Sequence, residues 1–115
     1  MKAAPFAYVR PSTVDDVLAE LGAGEGAKVL AGGQSLVPVL AMRLGRPSTL
    51  VDINAVGALG SLERRDGVLT VGATVRQRQV ERDLAGGGTT GGDVPLLRLA
   101  LPWVGHRELR SRGTV

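Results

Sequence analysis

The first half of the chain alternates between short apolar runs and segments whose apolar residues recur every three or four positions. Short runs predict strands, and the longer spacing predicts helices that bury one face. We predict a short edge strand at residues 6–10, a helix capped by Ser12 or Thr13, a strand at 28–31, a helix from Ser35 and a strand at 49–53. This β-α-β-α-β order favours a small sheet with parallel pairing and right-handed crossovers.

The pattern changes after Asn54. Two segments, residues 59–64 and 68–72, are separated by Arg65-Asp66-Gly67, and the Asp-Gly step is a strong signal for a β-hairpin. A helix is predicted from about Val75. Its solvated side is assigned four charged residues, Arg76, Arg78, Glu81 and Arg82. We therefore predict an α/β (α+β) chain with an N-terminal subdomain at residues 1–56 and the beginning of a second α+β subdomain at 57–115.

The last predicted helix covers residues 95–104, where most side chains are apolar. We expect them to be largely buried: Leu96, Leu97, Leu99, Ala100, Leu101 and Trp103. Before this helix, residues 86–92 read Gly-Gly-Gly-Thr-Thr-Gly-Gly. The stretch lacks the Lys-Ser/Thr of a Walker motif, so we interpret it as a flexible loop.

Composition narrows the possible functions. The chain has 115 residues, of which 43% are hydrophobic and 3% aromatic, so a globular core has to be built from Val, Leu and Ala. The formal net charge is +3. Its one basic cluster, residues 106–112, contains no aromatic side chain for stacking on bases, which disfavours nucleic-acid binding.

Cysteine and histidine usage limits metal chemistry. The chain has no cysteine, which excludes disulfides and thiolate ligands, and its single histidine, His106, cannot form a metal cluster alone. We interpret His106 as a surface or capping residue.

The first ten residues lack a signal-peptide core, and no run approaches the roughly 20 apolar residues of a membrane span. The expectation is a cytoplasmic protein without a membrane span.

Candidate chemistry lies at the end of the predicted strand at 28–31. Two glycines, Gly32 and Gly33, follow it, and a segment with helical spacing begins at Ser35. Glycines allow close backbone approach to a ligand, and the first free N–H groups of the helix, those of Gln34, Ser35 and Leu36, could bind a phosphate. The alternative is a tight turn with no ligand, which is common in α/β proteins.

Asp52 is a polar interruption in the strand at 49–53. It could contact a ribose or a backbone group. An aspartate at the end of a strand more often caps the following turn, and we favour that interpretation.

Five segments together resemble the FAD-binding subunit or domain of the molybdenum hydroxylases, which has the PCMH-type FAD-binding domain. This family includes xanthine dehydrogenase and the medium subunit of aerobic carbon monoxide dehydrogenase. The resemblance lies in the order and spacing of Phe6-x-Tyr8-x-x-Pro11, Ala31-Gly32-Gly33-Gln34-Ser35-Leu36, Leu50-Val51-Asp52-Ile53-Asn54, Leu69-Thr70-Val71-Gly72-Ala73 and Arg110-Ser111-Arg112-Gly113-Thr114-Val115.

The resemblance implies noncovalent FAD binding, with backbone N–H groups of the Ala-Gly-Gly-Gln-Ser-Leu turn on the pyrophosphate. It places FAD contacts at Val29, Leu30, Ala31, Gly32, Gly33, Gln34, Ser35, Leu36 and Val37, at a second turn containing Gly113, Thr114 and Val115, and at Val104. It implies an oxidoreductase component in which no side chain of this chain is catalytic and none binds metal. The implied partners are a molybdopterin-binding large subunit and a small subunit whose [2Fe-2S] clusters supply electrons that FAD passes to an external acceptor.

The chain departs from the family in two respects. It covers about the first two-fifths of such a subunit, and the glycine-rich residues 86–92 stand where the family has charged or apolar residues. The alternative is therefore a truncated, non-catalytic fragment that acts as a small α/β interaction module and exposes apolar surface around residues 96–103. A generic nucleotide-binding domain is a third possibility.

Overall fold

A computed structural model of the chain describes residues 1–86 and 94–115. Its N-terminal part contains a three-stranded parallel sheet formed by β1 (Ala7–Val9), β2 (Ala27–Leu30) and β3 (Thr49–Asp52). The strand order is β1-β3-β2, and both pairs are parallel. The predicted β-α-β-α-β order and the edge position of the first strand are therefore confirmed.

Two helices connect these strands. Helix α1 (Val14–Gly22) begins after Thr13, whose hydroxyl oxygen accepts a hydrogen bond from the Asp16 N–H at 3.1 Å, as a capping residue should. Helix α2 (Leu36–Ala41) is shorter than predicted, because the chain turns at Arg43 with a φ of 57°. Both helices run from one strand to the next, and they leave the carboxyl end of β2 next to the beginning of α2.

The N-terminal core forms around the central strand β3. Val51 is fully buried there, and α1 contributes the buried side chain of Val17. Ile53 and Val56 extend the same cluster into the segment that follows β3. Burial of these aliphatic side chains, each worth about 1.5–3 kcal/mol, fixes α1 against the sheet.

The second half begins with 3₁₀ turns at Ile53–Ala55 and Gly57–Gly60 and continues with the predicted hairpin. Strands β4 (Leu62–Arg65) and β5 (Val68–Val71) pair antiparallel. Asp66 and Gly67 join them with φ angles of 50° and 77°, as a two-residue hairpin turn requires. Strand β4 begins at Leu62 and not at the predicted residue 59, because residues 57–60 form the second 3₁₀ turn.

The described residues that follow contain the helices α3 (Gln77–Ala85), α4 (Pro95–Ala100) and α5 (Arg107–Arg110), with a 3₁₀ turn at Leu101–Trp103 between the last two. Their core consists of Val75, Val80 and Leu101. The loop predicted at 86–92 lies outside the described residues, except that Gly86 is the C-cap of α3. In the part of the chain that the structure describes, no helix has the length and apolar content needed to cross a membrane.

The expected burial of residues 95–104 is wrong for most of them. The exposed fractions of Leu96, Leu99 and Trp103 are 79%, 65% and 87%. Leu101 is buried and Leu97 half-buried, because α4 and the following 3₁₀ turn pack with one side on α3. No described residue covers the opposite side, so an apolar surface remains open there, as the alternative of an interaction module expected.

Candidate functional site

The first glycine turn, residues 31–36, connects β2 to α2. Gly33 has a φ of 75°, and a Cβ there would lie 3.2 Å from Val37 Cγ2 and 3.3 Å from Leu30 Cδ1. Its carbonyl accepts a hydrogen bond from the Val37 N–H at 2.8 Å. The left-handed backbone and the close neighbours both require glycine at this position.

The backbone amides after Gly33 lack protein partners. Among residues 1–86 and 94–115, no backbone carbonyl accepts a hydrogen bond from the N–H groups of Gln34, Ser35 or Leu36. Ser35 is the N-cap residue of α2, but its side chain makes no capping hydrogen bond. The three N–H groups are thus available to an external acceptor.

The second glycine turn, residues 112–115, follows α5 and lies against the start of α3. The Gln77 N–H donates to the Gly113 carbonyl at 2.8 Å, and Gln77 Nε2 donates to the Thr114 carbonyl at 3.0 Å. The Val115 N–H donates to the Val75 carbonyl at 3.2 Å. These bonds fix the second turn to α3.

The two glycine turns are in direct contact. A Cβ on Gly32 would lie 2.5 Å from the Arg112 carbonyl oxygen and 3.0 Å from both Gly113 Cα and Thr114 N. A cleft of about 420 Å³ opens beside this contact. Among the described residues, its lining has no charged side chain and consists of Ala31, Gly32, Gly33, Gln34, Ser35, Leu36, Gln77, Val104, Gly105, Leu109, Gly113 and Thr114.

Most of the residues that the resemblance implicates therefore meet at one cleft, including Val104, which is far from the first turn in sequence. Four do not line it. Val29 and Leu30 belong to β2, Val37 lies within α2, and Val115 pairs with Val75. Three lining residues were not predicted, namely Gln77, Gly105 and Leu109, and no pattern in the sequence marks them.

A polar bridge behind the cleft connects the two turns. Asn54 Nδ2 donates to the Ala31 carbonyl at 2.9 Å, and Asn54 Oδ1 accepts a hydrogen bond from Arg76 Nη2. Arg76 Nη1 donates to the Arg112 carbonyl at 2.8 Å. We name Asn54 and Arg76 the inter-turn bridge.

The assignment of Arg76 to the solvated side of a helix is therefore wrong. Helix α3 begins at Gln77, and Arg76 precedes it in extended backbone, with φ −79° and ψ 139°. Helical periodicity does not apply to a residue in this conformation. Its side chain instead donates hydrogen bonds to Asn54 Oδ1 and to the Arg112 carbonyl.

Asp52 supports the bridge from the end of β3. Its Oδ1 accepts hydrogen bonds from the Asn54 N–H at 2.9 Å and from Asn54 Nδ2, so the capping interpretation is confirmed. Its Oδ2 accepts from the Tyr8 hydroxyl, and Arg10 Nε lies 3.8 Å away. Partial burial raises the pKa of Asp52, but these hydrogen bonds outweigh it and hold the pKa below its ordinary value. The hydrogen bond from Tyr8 to Asp52 also raises the pKa of the Tyr8 hydroxyl.

A buried arginine holds the loop at Val104 and Gly105. Arg110 is only 7% exposed, and its Nη1 donates to the carbonyls of Val104 and Gly105 at 3.2 and 3.0 Å. Its Nε lies 3.1 Å from Glu81 Oε2. Arg78, 2.8 Å from the same oxygen, and Arg110 lower the pKa of Glu81.

The prediction that Glu81 lies on the solvated side of the helix is therefore incomplete, because its carboxylate pairs with the buried Arg110. His106 is exposed and occupies the N-cap position of α5. The surface interpretation of His106 is confirmed.

A larger groove of about 660 Å³ lies along α3 and is lined by Arg76, Arg78 and Arg82 among others. Its positive charge suits an anion. However, it contains neither glycine turn and none of the unpartnered amides. Geometry therefore favours the smaller cleft as the specific site.

Comparison with known proteins identifies the family of the chain. A family model described as the FAD binding domain in molybdopterin dehydrogenase matches residues 4–115. The alpha subunit of the 6-hydroxypseudooxynicotine dehydrogenase complex of Paenarthrobacter nicotinovorans is 40% identical over 116 residues, spanning 100% of this chain and 38% of that protein. The carbon monoxide dehydrogenase medium chain of Hydrogenophaga pseudoflava is 34% identical over 111 residues, spanning 96% of this chain and 37% of its own length.

Among solved structures, a chain of quinoline 2-oxidoreductase from Pseudomonas putida superposes with a TM-score of 0.91 at 38% identity, over 99% of this chain and 39% of that one. The chain thus spans less than two-fifths of the length of these relatives. The family match nevertheless extends over nearly all of its residues, including both glycine turns. The chain belongs to the family of FAD-binding domains of molybdopterin dehydrogenases.

Proposed function

We propose that this chain is the FAD-binding part of the electron-transfer subunit of a molybdenum hydroxylase. The FAD pyrophosphate is proposed to lie in the cleft between the first and second glycine turns. In this proposal, residues 1–56 and 57–115 are the two subdomains that hold the flavin from opposite sides. The carrying observation is that two glycine turns, about 80 positions apart in sequence, line one cleft together with unpartnered backbone amides.

The residues present suit a diphosphate ester. Gly32 and Gly33 leave the backbone uncovered, and the N–H groups of Gln34, Ser35 and Leu36 can donate to phosphate oxygens. No acidic side chain lines the described cleft, so no carboxylate repels the anion. The resemblance also implies FAD contacts from four residues that do not line the cleft, namely Val29, Leu30, Val37 and Val115. In this proposal they would contact the parts of FAD that extend beyond the cleft.

The flavin would supply the redox chemistry, accepting two electrons from reduced [2Fe-2S] clusters of a partner subunit and passing them to an external acceptor. The protein contributes binding, orientation and exclusion of water. No side chain of this chain is assigned as acid, base or nucleophile. Proposed partners are a molybdopterin-binding large subunit and a small iron–sulfur subunit, because the relatives include a medium chain and a subunit of dehydrogenase complexes.

The test is a titration of FAD into the purified 115-residue chain, followed by flavin fluorescence and by melting temperature. Saturable binding and a raised melting temperature are expected. Gly33→Asp adds a carboxylate and a Cβ beside the proposed phosphate position. We expect it to weaken FAD binding roughly tenfold or more, about 1.4 kcal/mol, while the helical circular dichroism stays unchanged.

Gly67→Asp is the matched control. Gly67 has a φ of 77°, close to that of Gly33, but lies in the hairpin turn with no atom near its absent Cβ. Both variants therefore carry similar backbone strain and the same added charge. Equal FAD affinity in the parent and Gly33→Asp would refute the pyrophosphate assignment.

The second candidate is an interaction module without flavin. The open apolar side of α4, with Leu96, Leu99 and Trp103 exposed, favours it. A folded chain that shows no saturable FAD binding in the same titration would support this candidate over the first.

A further inference from the structure

We infer that the inter-turn bridge is a positioning device: Asn54 and Arg76 set the spacing of the two glycine turns and so determine flavin affinity without touching the flavin. This inference rests on the proposed function. It assigns to a residue pair outside the cleft lining a role in the same site.

Each end of the bridge is attached to the residue directly before a cleft glycine. Asn54 binds the carbonyl of Ala31, which precedes Gly32, and Arg76 binds the carbonyl of Arg112, which precedes Gly113. A shift of either carbonyl therefore moves the adjacent glycine. The bridge is placed to control the width of the cleft directly.

The turns have no other polar connection of this kind. Within the described residues, no backbone hydrogen bond joins residues 31–36 directly to residues 112–115, which meet at the side-chain-free face of Gly32. A contact of this type resists compression but does not prevent separation. Hydrogen bonds through Asn54 and Arg76 supply the missing restraint.

Arginine suits this position better than lysine. Its two terminal nitrogens donate at the same time to two acceptors, Asn54 Oδ1 and the Arg112 carbonyl. The planar guanidinium holds these donors in a fixed, spread geometry, whereas the donors of an ammonium all lie on one nitrogen at the end of a flexible stem. One side chain thus ties together two segments that are far apart in sequence.

The orientation of the Asn54 amide is determined by its surroundings. Nδ2 faces two acceptors, the Ala31 carbonyl and Asp52 Oδ1, and Oδ1 faces the Arg76 guanidinium. A flipped amide would place oxygen against both acceptors and nitrogen against the cation. Asp52 therefore keeps the bridge in its connecting orientation.

The bridge is tested by FAD titration of the full 115-residue chain carrying Arg76→Gln, Asn54→Ala or both. We expect each single variant to lose affinity about tenfold, and the double variant to lose little more, because the pair acts as one unit. Arg76→Lys should bind FAD almost as weakly as Arg76→Gln. Arg82→Lys is the matched control, since Arg82 lies exposed on α3 and should leave affinity unchanged.

A second measurement reads the spacing without flavin. The chain has no native cysteine, so nitroxide labels at Ala19→Cys on α1 and Glu108→Cys on α5 report the separation of the two subdomains by pulsed electron paramagnetic resonance. Arg76→Gln should broaden or lengthen the distance distribution, and Arg82→Lys should not.

The two measurements separate the two proposals. FAD binding by the parent with unchanged affinity in Arg76→Gln overturns the positioning role while leaving the FAD site intact. Absence of FAD binding by the parent overturns the proposed function. In that case the distance distribution alone decides, and an unchanged distribution in Arg76→Gln overturns the spacing role.

Discussion

The carbonyl oxygen of Arg112 lies 2.5 Å from the position that a Cβ on Gly32 would occupy. This relationship joins the first and second glycine turns, which come from opposite halves of the chain. The contact exists only because Gly32 has no side chain. Close approach of two backbones, rather than a left-handed φ, is the reason for glycine here.

Gly32→Ala should therefore push the two turns apart. We expect a loss of about 1–3 kcal/mol in the free energy of unfolding, because the methyl group meets backbone atoms that cannot easily move. FAD affinity should fall as well. Urea unfolding and FAD titration measure the two effects.

Gly24→Ala is the control, because no atom lies within 4 Å of its absent Cβ. Its free energy of unfolding should stay within about 0.5 kcal/mol of the parent. An equally stable Gly32→Ala with parental FAD affinity would show that the turns do not need this close approach.

Tyr8→Phe should change how stability depends on pH. The Tyr8 hydrogen bond is among the causes that lower the pKa of Asp52. A carboxylate with a lowered pKa in the folded state stabilises above its unfolded pKa, and this contribution is lost as the pH falls through the folded pKa. Without the Tyr8 hydroxyl, the pKa of Asp52 rises toward its ordinary value. The variant should therefore lose less stability than the parent on acidification below about pH 4.

The alkaline side gives an independent check. The hydrogen bond to Asp52 raises the pKa of Tyr8, so its stabilisation is present below about pH 10 and is lost as the pH rises through the folded pKa. Phenylalanine cannot show this loss. Melting temperatures of both proteins across the two pH windows test the effect, and parallel curves would contradict it.

Glu81→Gln should destabilise the chain and loosen the cleft. The substitution removes the negative partner of Arg110, a guanidinium that is only 7% exposed and also holds the carbonyls of Val104 and Gly105. We expect a loss of about 2–3 kcal/mol, less than for a fully buried pair because the two carbonyls remain as acceptors. Chemical denaturation measures it.

Glu63→Gln provides the comparison, because Glu63 is exposed on β4. Its stability should match that of the parent. If Glu81→Gln were equally harmless, the ion pair would not support the loop at Val104 and Gly105.

The elements that the sequence predicted well are those with a strong local pattern. Thr13 and the spacing of the apolar residues after it specify α1, and Asp66-Gly67 specifies the hairpin. The first glycine turn could also be located, since its two glycines follow an apolar run. In each of these cases the deciding interactions lie within a few residues.

The errors concern residues whose partners are distant in sequence. Arg76 and Glu81 resemble other charged surface residues until the fold brings the Arg112 carbonyl to Arg76 and the Arg110 guanidinium to Glu81. Trp103 was expected to be buried because it is large and apolar, but hydrophobicity does not show whether a partner surface is present. Tertiary contacts of this kind have no local signal.

Trp103 also gives the chain a built-in optical reporter. It is the only tryptophan, it is 87% exposed, and it directly precedes Val104 in the lining of the cleft. Its emission therefore comes from a single site beside the proposed flavin position. Quenching of that emission would register an occupied cleft, and a blue shift would register a second surface covering α4, so one unlabelled sample distinguishes ligand from partner.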